Sequence, residues 1–146
     1  MNEIILASER YAVTGALRNL RTTRFQGTGC VDSSIAKAAV EAAHERGCSA
    51  ILVLTQRGAL PPLVSAFRPS VPIFTFCPNP KVARQLQIYR GIHPIIDSSL
   101  DVGGSAKGPA QAINEAKEMG YIQAGDEVVV VFMEGDDANL KISAVH

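Results

Sequence analysis

SAILVLTQRGALPPLVSAFRPSVPIFTFCPNPKVARQLQIYRGIHPII, residues 49–96, holds three short apolar runs separated by two amphipathic segments. Ala50–Leu54 is apolar on both faces, the signature of a central parallel strand covered by helices on each side. The next segment carries Leu60, Leu63, Val64 and Phe67 at i, i+3, i+4, i+7, one face of a helix. Pro61 and Pro62 fit such a helix only in its first turn, and Arg68-Pro69 ends it. Pro72–Phe76 reads as a second strand. Asn79 is placed to cap a helix that begins at Pro80 and turns Val82, Ala83 and Leu86 inward. Ile92–Ile96 reads as a third strand. Short strands alternating with helices define parallel pairing through crossover connections.

The flanks extend the pattern. Residues 3–22 place Leu6, Val13, Leu17 and Leu20 at helical spacing. An alanine-rich helix is expected over Ser33–Arg46, with Asp32 or Ser33 as its N-cap and Gly47 as its stop. Residues 98–109 are polar and glycine-bearing. Ala112, Ile113, Ala116 and Met119 mark the inner face of a further helix, ended by Gly120. Residues 127–132 form a second strand apolar on both faces. Residues 139–145 alternate, as an edge strand with one wet face does. The connection between the last two strands, Met133–Ala138, is too short for a crossover, so the two pair antiparallel. The fold read from this order is a three-layer α/β/α sandwich on a five-stranded, mostly parallel sheet with one antiparallel edge strand. It forms one domain, residues 1–146, with a helical lead-in (3–22) and an α/β core (32–146).

Composition excludes several classes. With 146 residues, 47 % of them hydrophobic, the chain can bury a core, but it is too short for a (β/α)₈ barrel of ~250 residues. A formal net charge of zero gives no overall footprint for nucleic acid or an anionic membrane. No apolar run reaches ~18 residues. The start, Met1-Asn2-Glu3-Ile4, lacks the basic segment of a signal peptide, so a cytoplasmic location is expected. Cys30, Cys48 and Cys77 are odd in number and lack CxxC spacing, the usage of reduced structural thiols. His44, His93 and His146 have no ligand partners at metal spacing, so no metal site is expected.

Residues 103–108, Gly-Gly-Ser-Ala-Lys-Gly, lack the Gly-Lys-Ser/Thr ending of a P-loop and read as a flexible loop. Ser33-Ser34 and Ser98-Ser99 have no His or Asp at catalytic spacing. Cys77 follows a strand but lacks a recognisable base.

The Leu54-Thr55-x-x-Gly58 turn, Phe67-Arg68-Pro69, Val71-Pro72-Ile73, Ala83-Arg84 and Tyr89-Arg90-Gly91-Ile92-x-Pro94 resemble the C-terminal domain of pyruvate kinase in order and spacing. The resemblance implies the same sheet with its antiparallel edge strand. It also implies a regulatory and subunit-assembly role. The parent family transfers a phosphoryl group from phosphoenolpyruvate to ADP in a barrel that precedes this domain. The residues holding Mg and K belong to that barrel, so no catalytic residue and no cofactor is expected here. A homo-oligomer is expected through helix 3–22 and edge strand 139–145. Arg84 and Arg90 match family arginines and are expected to hold helix to sheet through ion pairs or carbonyl contacts.

Ligands of open α/β sheets sit beyond the carboxyl ends of the strands, where strand order reverses. The loop there is Thr55-Gln56-Arg57-Gly58-Ala59, leading into a helix N-terminus with free amides. In the family the matching loop holds a phosphate of an allosteric sugar bisphosphate, so Thr55, Gln56, Arg57, Gly58 and Ala59 are the expected effector contacts. The family pattern in sugar-bisphosphate-responsive animal enzymes is Thr-Lys-Ser-Gly-x-Ser; here Gln56, Arg57 and Leu60 replace Lys and the two Ser. A glycine-rich loop that closes over the sugar phosphate in the family falls at Glu134, Gly135 and Asp136. These carboxylates are poor neighbours for an anion. The alternative reading is a free-standing binder of a phosphorylated metabolite, or an enzyme of other specificity, that reuses the fold.

Overall fold

Five apolar residues in a row leave strand β1 (Ala50–Leu54) no side to turn to water, and none is more than 1 % exposed. Each such buried branched side chain contributes ~1.5–3 kcal/mol. A computed structural model of the chain describes residues 31–100, 107–135 and 137–146. Among them the order is α1 (Val31–Arg46), β1, α2 (Leu60–Ala66), β2 (Ile73–Cys77), α3 (Pro80–Leu86), β3 (Ile92–Ile96), α4 (Gly108–Glu118), β4 (Glu127–Glu134) and β5 (Asp137–Ala144). The expected helix 3–22, Cys30 and loop residues 101–106 lie outside the described residues.

The sheet runs β3-β2-β1-β4-β5. β1 pairs parallel with β2 (Ile51 beside Ile73) and with β4 (Ile51 beside Val129). β3 is parallel to β2, and β5 is antiparallel to β4, as expected. Side chains alternate between two cores. Ile51, Val53, Val129 and Val131 pack with Ala36, Ala39 and Ala43 of α1, with Leu60 and Val64 of α2 and with Leu86 of α3. Leu52, Phe74, Phe76, Val128 and Val130 pack with Ala112, Ile113 and Ala116 of α4. Crossovers toward β3 thus use one face of the sheet and the return to β4 uses the other, as right-handed connections require.

Local differences from the sequence reading have physical causes. α1 begins at Val31, so Asp32 sits inside its first turn, where its charge favours the helix dipole. α1 ends where the Cys48 amide donates to the Ala43 carbonyl (2.9 Å) and Gly47, at φ +65°, donates to His44 (3.3 Å). That paired closure needs a residue tolerant of positive φ. Met119 was expected to face inward. It caps α4 and is exposed, because the helix stops at Glu118. Cys77 is the last residue of β2 rather than the first of a loop, and its thiol donates to the Ile95 carbonyl (3.8 Å). β4 and β5 are longer than expected and pair out to Glu134–Asp137.

One buried polar atom stands out. Thr75, in the middle of β2, is fully buried, and its hydroxyl has no hydrogen-bond partner among the described residues. A hydroxyl taken from water without a partner costs ~1–3 kcal/mol. Thr75→Val keeps the shape and the β-branch while removing that cost. Urea unfolding of the variant is expected to show a gain of about 1 kcal/mol with an unchanged m-value; a loss would mean that the hydroxyl is satisfied.

Candidate functional site

Strand order reverses at β1, whose sequence successors β2 and β3 lie to one side while β4 and β5 lie to the other. The loop that leaves β1 opens on Thr55, which is only 7 % exposed. The Thr55 hydroxyl accepts the Gly58 amide at 2.9 Å and folds the loop back on itself. Gly58 sits at φ +76°, and a Cβ there would lie 2.7 Å from Val82 Cγ1 of α3. Both the conformation and the close approach demand glycine. Gln56, Arg57 and Ala59 are exposed.

This loop offers an anion less backbone than its position suggests. The Gly58 amide is already given to Thr55. Ala59 at the head of α2 provides no side-chain cap. Pro61 and Pro62 occupy the first turn and have no N–H to donate. Among its side chains Gln56 and Arg57 face solvent, and the Arg57 guanidinium is a bidentate donor for phosphate or carboxylate.

The second expected contact, the loop after β4, is a tight hairpin. Glu134 and Asp137 are directly paired, so the connection is two residues, with Gly135 at φ +64°. A two-residue turn with positive φ matches the twist of the flanking strands. Asp136 lies outside the described residues. The loop that the resemblance matches to a glycine-rich closing loop is here the short connection between two paired strands. Glu134 is exposed at its base.

A groove that the sequence reading missed lies beside the same loop, between α2 and α3. About 400 Å³ in volume, it is walled by Gly58, Pro62, Val82 and Leu86 and rimmed by Arg57, Gln85, Ile88 and Tyr89. Ile88 is 81 % exposed and Tyr89 40 %. A signal was present in the sequence. Between Gly47 and Ile96 stand Arg57, Arg68, Lys81, Arg84 and Arg90, with no Asp or Glu at all. From Asp97 onward there are nine acidic and three basic residues. The zero net charge averages two opposite halves.

For the two arginines expected to hold helix to sheet, no side-chain ion pair or carbonyl contact is found among the described residues. Arg84 and Arg90 are exposed, and it is the Arg90 backbone carbonyl that accepts from the buried Ser65 hydroxyl of α2 at 2.7 Å. The guanidinium fork in the fold is Arg46, which binds both carboxylate oxygens of Glu127 (3.0 and 2.6 Å) and ties the end of α1 to the start of β4. Cys48 and Cys77 are buried free thiols, and burial pushes both above the usual thiol range. That is the opposite of an activated nucleophile.

One pair of titratable groups is perturbed. Asp97, just after β3, accepts the Ser99 hydroxyl (2.6 Å) and amide (2.8 Å), which hold its carboxyl below the usual range. Glu115 of α4 is pushed up to about 6, first by desolvation and then by its hydrogen bond to Asp97 and that residue's charge. The two values are pushed apart, so of this pair Glu115 is the group that takes up a proton first as pH falls. No group of three or more His, Cys, Asp or Glu that could hold a metal ion exists among the described residues. No helix among them is long and apolar enough to cross a membrane.

The comparisons with known proteins agree with this architecture. The family model described as pyruvate kinase, alpha/beta domain, matches residues 33–140. The chain is 36 % identical over 102 residues to the pyruvate kinase of Lachancea kluyveri, covering 67 % of this chain and 20 % of that one. It is 31 % identical over 134 residues to that of Candida albicans, covering 89 % and 26 %. Among solved structures, Cryptosporidium parvum pyruvate kinase in complex with ADP superposes with a TM-score of 0.80 at 28 % identity, covering 89 % of this chain and 27 % of that one. The chain belongs to the pyruvate kinase alpha/beta-domain family, and it spans about a fifth to a quarter of the curated relatives it matches.

Two measurements check this geometry. Gly58→Ala adds a Cβ that collides with Val82 in a backbone region hostile to it; a loss of ~2–4 kcal/mol in unfolding free energy is expected, and a loss under 0.5 kcal/mol would refute the close packing. Glu115 holds its proton more tightly in the folded state. Its stabilisation is therefore complete below the unfolded value of 4.5 and lost as pH rises through about 6. Because Glu115 is only partly buried, the change is discounted to about 1 kcal/mol. Glu115→Gln is expected to flatten stability between pH 5 and 7.5, and an identical slope in both proteins would refute the upward shift of Glu115.

Proposed function

We propose that this chain acts as a regulatory and assembly module of the pyruvate kinase type, without phosphoryl-transfer activity of its own. The observation that carries this reading is the extent of the match, which covers the alpha/beta domain and about a quarter of the Candida albicans relative. Phosphoryl transfer depends on a positioned metal and cations around the transferring group, and the barrel that supplies them in the parent family is larger than this chain. Neither Mg nor K is needed for the proposed role. The site of action is the cytoplasm.

Assembly is proposed through β5, together with residues 3–22, which the sequence pattern reads as a helix. The Val145 amide bonds inward to the Asp126 carbonyl at 2.8 Å. Alternation then turns the Leu140, Ile142 and Ala144 amides to the outer edge. Ile142 is also 42 % exposed. Such an edge suits pairing with a second copy across a two-fold axis. At the rim of β1 and β4, Thr55 to Ala59 would receive the phosphate of a small effector. A second reading, a free-standing binder of a different metabolite, draws support from the short Gly135 turn and the prolines of α2.

Sedimentation over 5–200 μM is expected to show a concentration-dependent dimer or larger assembly. Ile142→Pro, which removes one outer-edge amide, is expected to stay monomeric with an unchanged far-UV spectrum. A wild-type chain that is monomeric at 200 μM refutes the assembly role. For the effector, a sugar bisphosphate at saturation is expected to stabilise the chain by ~2.7 kcal/mol at 100 times its Kd. No shift with it, and a large shift with an unrelated metabolite, selects the second reading.

A further inference from the structure

We infer that the groove between α2 and α3 is a binding site for a small amphipathic anion, one carboxylate, sulfonate or phosphate on a compact aromatic or acyl body. Three independent observations converge on it. The first is shape. A volume of about 400 Å³ falls in the range of small-ligand clefts, and two of its lining residues, Gly58 and Val82, pack directly on each other and fix its wall.

The second is the distribution of polarity. Pro62 and Val82 give an apolar floor, and Ile88 and Tyr89 stand above it far more exposed than folding alone rewards. At the mouth are one cation, Arg57, and one amide, Gln85. Neither of the ion pairs Lys37–Glu41 and Arg46–Glu127 uses Arg57. A flat guanidinium over an apolar floor favours a ligand that is charged at one end and apolar at the other.

The third is the field. The fifty residues that build this half of the fold contain no carboxylate, and Lys81 and Arg84 lie on the same helix as Gln85. An incoming anion meets no like charge from the segments that form the groove. At the hairpin after β4 it meets Glu134 and Asp137. The groove is lined by Arg57 and Gly58 of the loop and by residues of α2, α3 and the turn after α3, with no residue of β4 or β5. It would therefore hold its ligand whether or not the chain assembles through β5.

The test uses 1-anilinonaphthalene-8-sulfonate as an anionic probe and N-phenyl-1-naphthylamine as its neutral counterpart. Wild-type chain is expected to bind the sulfonate at a single site, more weakly as salt rises. Arg57→Gln is expected to weaken the sulfonate about tenfold and leave the neutral probe unchanged. Ile88→Ser is expected to weaken both. Both substitutions fall on exposed residues, and circular dichroism checks the fold. Amide shifts on titration are expected at residues 57–60 and 82–89. Equal sulfonate affinity in wild type and Arg57→Gln, or shifts confined to 134–138, would overturn the assignment. So would a fall in solution mass for Ile88→Ser, because the groove would then be covered by a second copy. Loss of assembly in Ile142→Pro with sulfonate binding intact separates this site from the assembly role.

Discussion

The constraint on which this fold turns is the burial of β1 on both faces. A strand of five apolar residues cannot sit at an edge or under a single layer, because half of its side chains would then face water. It must have a strand on each side and helices above and below. β2 and β4 supply the first, α1 and α2 on one face and α4 on the other supply the second. Strands on both sides of the first parallel strand force the strand order to reverse there. Helices on both faces follow from the single hand of the crossovers. The position of the candidate site is a by-product. The loops that leave β1 and β4 must emerge side by side at one rim, whatever their sequences say.

The two edges of the sheet are treated differently. At β3 the Ile73 amide bonds to the Gly91 carbonyl and the Asp97 amide to the Cys77 carbonyl. The alternation between them turns residues 92, 94 and 96 outward, so the N–H that Pro94 lacks is missing from the open side. A proline there costs the sheet nothing and blocks strand addition. β5 has eight residues, no proline and an uninterrupted outer row of amides. Two edges exposed to the same solvent therefore differ in their capacity to recruit another strand, and one residue makes most of the difference.

The fold was legible because its signals are local. Leu60, Val64 and Phe67 announce a helix, the apolar runs announce buried strands, and Asn79 caps α3 through the Lys81 amide, as its type and place indicate. The misses are places where a long-range pairing set the boundary. Nothing near Met133 says that β4 continues to Glu134; the partner residue Asp137 does. The site was less legible still. A helix N-terminus after a glycine loop suggests free amides, but whether the Gly58 amide is free depends on where the Thr55 hydroxyl turns. The groove depends on Gly58 meeting Val82, 24 residues away in the chain. Its electrostatic half could have been read, since the run without acids from Gly47 to Ile96 is visible in the sequence. A whole-chain net charge hid it.

That separation of charge bears on how the domain can read an anion. Backbone amides at a helix start recognise phosphate by geometry and are indifferent to the side chains around them. Here Thr55 has taken one amide, Pro61 and Pro62 have removed two, and the neighbouring hairpin presents carboxylates. What the groove adds is a side-chain device, the Arg57 guanidinium beside an apolar surface lined by segments that carry no carboxylate. On the inference drawn above, such a device would favour a charge attached to a hydrophobic body, because each part is bound weakly without the other. The groove is built on the core itself, since Leu86 belongs to it and Val82 packs against it, whereas the rim residues Arg57, Gln85, Ile88 and Tyr89 are exposed and lie outside that packing.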